Sequence, residues 1–401
     1  MKKVLISLLD TRSDTLIKVG DLLKSNNITP YYFSNEKITH MHQDPVLILG
    51  EQEYSVCDIN LKAKFQKIFE TDRSMRFYYS ESVAIKIMQK WYDNAKEYIL
   101  HRNIKHCLIE GTPAHELVVE LVCIDLGVNI INICHAPGPR GWSLASKSSI
   151  EYPLYGNQNK NEEYIAQLSG HQNEIKVYLD SKHTWYGKVL RLIKRKRNYN
   201  YYPKWYIVLK VLKYPINIVL RFILKIWGNS QYNHVLYLHE EPERTVYNCG
   251  AVFNTQLSAL KTISKDLNIN ISVKEHPNHK GNLPLGFYLS ILLHPRLNYI
   301  TTLSRTPELV WTFSGSIAWE RSLKGLPVVS LGKTYLHKSN CVYGYPDIFN
   351  HIEKEDDLVD YISKHVFAGE LTGTHWIPSE ISDANIENLT KIIVTCINEV
   401  H

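Results

Sequence analysis

Two short stretches carry side chains suited to gripping an anion. In "VKEHP" (273–277) an extended, half-buried run ends in a cation, an anion, an imidazole and a proline. Pro277 fixes its own φ and biases His276 towards an extended conformation, so Lys274 and His276 are held just past the C-terminal end of a strand. That edge is where open α/β sheets bind ligands. In "TFSGSIAWE" (312–320) a buried strand runs into Ser314, Gly315 and Ser316, and a helix starts near Ile317. Small residues at such a turn leave backbone N–H groups and hydroxyls facing a phosphate, and the helix dipole favours negative charge there. Glu320, one turn further on, is within reach of a ribose hydroxyl. Each stretch also has a plainer reading: serine at a helix start is ordinarily a cap, and His276 beside Glu275 could be a salt-bridged surface histidine. The pair together favours an anion site.

Other polar residues also follow apolar runs of strand length. Glu110 comes directly after "HCLI" (106–109), and His115 lies in the first turn of the next helix. Asp10 and Arg12 follow the first run, and Glu240 and Glu243 in "LHEEPER" follow "VLYL" (235–238). A carboxylate or imidazole at such a place can move a proton or bind a polar substrate. The alternatives are a helix-start charge for Glu110, a surface histidine for His115 and solvated carboxylates for the glutamates. No D-x-D or paired-carboxylate arrangement calls for a metal, so none is expected. Seven cysteines, with no C-x-x-C and several inside apolar runs, read as reduced buried thiols rather than a disulfide framework.

Alternating strands and helices must position these groups. Short apolar runs at 4–9, 28–33, 46–49, 106–109 and 129–134 predict strands. The first follows two lysines, but Asp10, Arg12 and Asp14 come at once without a small-residue cleavage site, so a buried strand is expected rather than a signal peptide. Helical spacing joins Val83, Ile87, Met88, Trp91, Ala95, Tyr98 and Ile99. In "GTPAHELVVELVCIDLG" Thr112 is the expected N-cap, Pro113 the first helical residue and Gly127 the C-terminal stop. The rhythm resumes at 231 with strands at 235–238, 271–274, 309–313 and 327–331, and a closing helix aligns Ile386, Leu389, Ile392, Ile393, Cys396 and Ile397. An α/β protein with parallel sheets follows. The expected domains are 1–181, a basic linker at 182–230, and 231–401.

That linker carries all the positive excess. Of 46 lysines and arginines, twelve lie in 182–225 without a single acid, and the remaining 34 face 40 acidic residues, a net of −6 against +6 for the whole chain. "YPKWYIVLKVLKYPINIVLRFILKIW" (202–227) has no uncharged stretch longer than the seven residues 214–220. Lys210, Lys213, Asn217, Arg221 and Lys225 recur at three- or four-residue spacing as one polar stripe, with Pro215 as an expected kink. An interfacial helix pair at an anionic membrane, beside "KRKR" (194–197), fits better than a span. Its plainer alternative is an apolar face packed on the protein's own domains. The aliphatic density argues against nucleic-acid binding.

The stretch "YLHEEPERTVYNCGAVFNTQLSALKTISKDLNINISVKEHP", with "FSGSIAWERSLKGLPVVSLGKTYL", resembles the capsule polysaccharide biosynthesis family, which includes bacterial Kdo transferases. The resemblance is concentrated over 235–345 and extends more loosely to "DTRSD" (10–14), "TDRS" (71–74) and "EGTPAHE" (110–116). It implies a GT-B fold, two Rossmann-like domains facing across a cleft, and transfer of an ulosonic or nonulosonic acid (Kdo, pseudaminic, legionaminic or sialic type) from a CMP-activated donor to a capsular or surface glycan. It further implies that His276-Pro277 and Ser314 to Ser316 hold the CMP phosphate, and that no cofactor beyond the donor is needed. Glu110 and His115 would then act from the opposite domain, with Asp10, Arg12, Glu240 and Glu243 as acceptor or sugar binders. The expected location is the cytoplasmic face of the membrane. CDP-glycerol polymerases share a lysine/histidine–proline element but normally carry adjacent serines and a later aspartate in the second motif. Another nucleotide donor, or a non-catalytic assembly factor, remains the alternative.

Overall fold

The computed structural model describes residues 2–8, 13–34, 46–49, 58–109, 111, 113–139, 141–149, 152–156, 160–171, 204–227, 231–239, 253, 255–275, 283, 285–313, 316–346, 352–369 and 382–399. The chain divides into two units, Met1–Gln172 with Val359–His401, and Asn173–Leu358.

The first unit is built on a seven-stranded sheet in the order β13-β6-β5-β4-β1-β2-β3. Strands β1 (Lys2–Ser7), β2 (Ile28–Ser34), β3 (Val46–Ile48), β4 (His106–Ile109) and β5 (Asn129–His135) are parallel. Strands β6 (Trp142–Ser146) and β13 (Val366–Ala368) add an antiparallel edge, and α6 (Glu162–His171) follows β6 in the chain. Because side chains alternate along a strand, Leu5 packs on one face of the sheet while Val4 and Ile6 pack on the other. The Leu5 face is covered by α2 (Ile59–Thr71), α4 (Glu81–Arg102) and α5 (Ala114–Leu126), with α3 (Arg73–Tyr78) between α2 and α4. The Val4 face is covered by α1 (Ser13–Ser25) and, at the far end of the sequence, by the closing helix Asp383–Glu399. An uninterrupted "VLI" is what a strand covered on both faces requires.

That placement corrects the expected 231–401 domain. Ile386, Leu389, Ile392, Ile393, Cys396 and Ile397 do form one buried face, as their spacing predicts, but they bury it against β1, β2 and α1 of the first unit. The Lys2 ammonium donates to the Ile397 carbonyl (3.2 Å) and to Asn398 Oδ1 (2.8 Å), a cation at a helix C-terminus. The sequence period reveals an apolar face but not which sheet lacks cover.

The second unit holds a six-stranded, all-parallel sheet in the order β12-β11-β10-β7-β8-β9. Its strands are β7 (His234–Tyr237), β8 (Ile271–Lys274), β9 (Leu297–Ile300), β10 (Leu309–Thr312), β11 (Val328–Ser330) and β12 (Val342–Gly344). Counted within the unit this is the order 3-2-1-4-5-6 of dinucleotide-binding sheets, whose direction of winding reverses between the first and fourth strands. Here that switch point lies between β7 and β10. In the first unit the corresponding switch lies between β1 and β4.

Among the described residues the linker contributes one helix, α7 (Lys204–Trp227), which runs through Pro215 where a pair of helices was expected to break. It belongs to the second unit, followed there by α8 (Gln256–Asp266), α9 (Leu285–Leu293) and α10 (Ser316–Ser322). Leu224 is buried in the same core as Leu260, Val273, Phe287 and Trp311.

Candidate functional site

At the C-terminal edge of the second sheet the register sets Tyr237 of β7 beside Lys274 of β8. The Lys274 ammonium lies 4.8 Å from the centre of the Tyr237 ring, a cation–π contact at the strand end. Glu320, in α10 after β10, is half-buried; burial raises its carboxyl above the usual range, while Lys324 and Lys274 pull it back. Burial likewise raises the Tyr237 hydroxyl, with Arg321 opposing and Glu320 adding to the effect. Lys274 and Glu320, 46 positions apart in sequence, thus share one electrostatic neighbourhood at this edge of the sheet. Ser316 opens α10. His276, Pro277, Ser314, Gly315, Glu240 and Glu243 lie outside the described residues.

Sequence reasoning missed a contact across the switch point itself. His239, just past β7, meets Thr312 at the end of β10, with Nε2 to Oγ1 at 2.9 Å. Gln256 in the first turn of α8 fixes the backbone there: its Oε1 accepts from the His239 N–H (2.7 Å) and its Nε2 donates to the His239 carbonyl (3.2 Å). The signal was present, since His239 follows an apolar strand run just as His276 follows another.

Glu275 was also misjudged. Read as a surface partner for His276, its side chain is only 4% exposed. It accepts hydrogen bonds from the hydroxyls of Tyr288 and Tyr299 (2.6 Å for the latter) and pairs with the Arg221 Nε at 3.1 Å. Arg221 also donates to the Tyr299 hydroxyl at 2.6 Å. Burial opposes the guanidinium charge, but Tyr299 and Glu275 outweigh it and raise the Arg221 pKa. The residue between Lys274 and His276 is therefore bolted to α9, β9 and α7. Nothing in local spacing links position 275 to 221.

In the first unit, β1 and β4 flank the switch point, and they are the strands that Asp10, Arg12 and Glu110 follow in sequence. Those three residues lie outside the described residues, as does Thr112. The backbone next to Glu110 is tightly held: the Gly111 N–H donates to Glu116 Oε2 at 2.8 Å. Gly111 has φ +71°, and a Cβ there would meet the Ser149 Cβ at 2.1 Å, so only glycine fits. The helix begins at Ala114, with Pro113 in the cap position rather than the first turn. Its N-terminal donor is met from a distance: Asp72 Oδ2 accepts from the Ala114 N–H at 2.7 Å, while Oδ1 accepts from the Met75 N–H at 2.9 Å. One buried carboxylate thus caps two helices and ties "TDRS" to "EGTPAHE". Gly127 ends the helix in the left-handed region, as expected.

His115 is not the surface histidine of the plainer reading. Its ring is buried and sits edge-on to Phe33 and Trp91, with centroids 6.3 and 6.2 Å away. This is a buried position, not the surface one of the alternative reading. The reason lies in the helix phase, which turns position 115 down on to the sheet with Val118 and Val119.

No protein-family model matches the chain, and no curated protein matches it. Among solved structures, the chain is similar to the Thermosulfurimonas dismutans KpsC, a beta Kdo 2,7 transferase, at 12% identity over 75% of this chain and 88% of that one, with a TM-score of 0.38. It is also similar to the UDP-GlcNAc 2-epimerase of Methanocaldococcus jannaschii, at 11% identity over 98% and 99% with a TM-score of 0.27. Acinetobacter baumannii MurG matches at 10% identity over 82% and 78%, with a TM-score of 0.23.

Proposed function

We propose that the protein is a GT-B glycosyltransferase that moves an ulosonic or nonulosonic acid from a CMP-activated donor to a capsular or related surface glycan at the cytoplasmic membrane face. The observation that carries this reading is the 3-2-1-4-5-6 sheet with Lys274 and Glu320 together at its switch-point edge. In this fold type that edge is the nucleotide site.

Departure of CMP builds negative charge on the phosphate and positive charge on the sugar. The Lys274 ammonium, which lies over the Tyr237 ring, supplies a donor for the first, joined by His276 and the N–H groups of 314–316. Glu320 takes a ribose hydroxyl. In this reading Glu110 acts on the acceptor hydroxyl or the sugar cation. Asp10 and Arg12 assist in binding the acceptor or the donor carboxylate. Membrane attachment through 182–227 brings the enzyme to a membrane-held acceptor.

A thermal-shift panel of CMP, UDP, CDP and GDP tests the donor. Selective binding to the native state raises the midpoint by mass action, so CMP is expected to stabilise and UDP and GDP to leave the curve unchanged. Stabilisation by UDP alone would sink the assignment.

A further inference from the structure

Helix α7 packs with its polarity reversed from what its sequence implies. Part of the polar stripe faces inward: the buried Asn217 donates through Nδ2 to the Leu283 carbonyl at 3.0 Å, and Arg221 is held by Glu275 and Tyr299. One turn on, Leu224 enters the core. The outward side is apolar. Leu212, Ile216, Ile218, Val219, Phe222 and Ile226 are each 45–64% exposed. At 3.6 residues per turn they form one continuous face about four turns long. Lys213 and Lys225, both exposed, stand on its two flanks.

Soluble proteins rarely leave so many large aliphatic and aromatic side chains together in water. The charge around the face says what covers it. A second copy would bring two lysine-flanked helices, each with the same acid-free cation run at 182–225, into contact. An anionic lipid surface meets both requirements, taking the apolar side chains into the acyl boundary and the lysines among phosphates. Among the described residues no helix is long and apolar enough to cross a membrane.

We propose that this outward face of α7 is an insertion surface, on which the protein lies in the head-group layer of an anionic bilayer, with Asn217 and Arg221 bolting the inserted helix to the second domain. The inference deepens the membrane attachment read from the cation run and rests on it. It differs in assigning the holding force to apolar side chains. Salt screens the cations but not the apolar face, so attachment has a salt-resistant part.

The test is flotation of the full chain with phosphatidylglycerol–phosphatidylethanolamine vesicles at low salt and at about 0.5 M salt, where the screening length is only a few ångströms. The wild type is expected to float under both conditions. An Ile216→Ser/Val219→Ser/Phe222→Ser variant should lose the salt-resistant binding, with vesicle partitioning down about a hundredfold or more. Its melting should not change, since these side chains are exposed. A Lys194→Gln/Arg195→Gln/Lys196→Gln/Arg197→Gln variant should float less at low salt yet keep the salt-resistant fraction. Equal flotation of the triple variant and the wild type at high salt would overturn the inserted face. Flotation only at low salt, equal in both, would leave attachment by charge standing and refute insertion. No flotation at any salt would refute both. A lipid-free dimer that the triple substitution turns into a monomer would assign the face to a second copy instead.

Discussion

Replacing Glu275 by glutamine keeps the shape of the side chain and removes its charge. The change strips Arg221 of its carboxylate and weakens two tyrosine hydrogen bonds, one of them 2.6 Å long. Removing one partner of a buried ion pair costs roughly 3–5 kcal/mol. Here Glu275 is 4% exposed but Arg221 is 26% exposed, so water recovers part of the loss. About 3 kcal/mol is a reasonable expectation for Glu275→Gln and about 2 kcal/mol for Arg221→Met. The double variant should cost about 1–2 kcal/mol less than the sum, because the second substitution removes a charge already orphaned by the first. In urea, with a slope near 2 kcal/mol/M, the single Glu275→Gln change moves the midpoint down by about 1.5 M. Titrations followed by tryptophan fluorescence on all four proteins give the coupling directly. Additivity within about 0.5 kcal/mol would mean that the pair does not tie α7 to the end of β8. Because Glu275 also anchors the backbone between Lys274 and His276, Glu275→Gln should weaken CMP binding even where it remains folded.

The two halves of the proposed site separate by mutation. His276→Ala should reduce CMP affinity by roughly tenfold to a hundredfold, the scale of a hydrogen bond to a charged group, whereas Glu110→Gln should leave CMP affinity unchanged and lower turnover by about 10²–10⁴. Calorimetry with CMP and a transfer assay, on variants that melt like the wild type, check both, and normal CMP binding by folded His276→Ala would make that imidazole structural. Acid should weaken the fold through His106, which is buried at the start of β4; burial, with the Lys2 ammonium adding to it, lowers its pKa to about 4. The native state keeps the ring neutral while the unfolded chain takes up a proton near pH 6.5, so stability falls by about 2 kcal/mol between pH 7 and 5 and levels off below pH 4. A His106→Phe variant with the same urea dependence on pH as the wild type would refute this.

The sequence by itself determined the helices with strong periodicity and nine of the strands, because burial on both faces of a sheet demands unbroken aliphatic runs and burial of one helix face demands a 3.6-residue period; β6, β9, β12 and β13 were not read from it. It also determined that Lys274 ends a strand and that Glu320 follows another, since both rest on local signals. The Gly127 stop is local too. What tertiary structure alone decided is which surfaces those faces meet. The helix Asp383–Glu399 packs beside α1 on the sheet face of Val4 and Ile6, at the other end of the chain. Glu275 became a buried anchor because β9 and α9 bring Tyr299 and Tyr288 to it, and α7 brings Arg221. His115 went into the core, and Asp72 came to cap a helix 42 residues away. In α7 the same stripe of polar residues could face water or protein, and periodicity is blind to the choice. The carboxylate of Glu275 and the carbonyl of Leu283 drew Arg221 and Asn217 inward and left the apolar side outside.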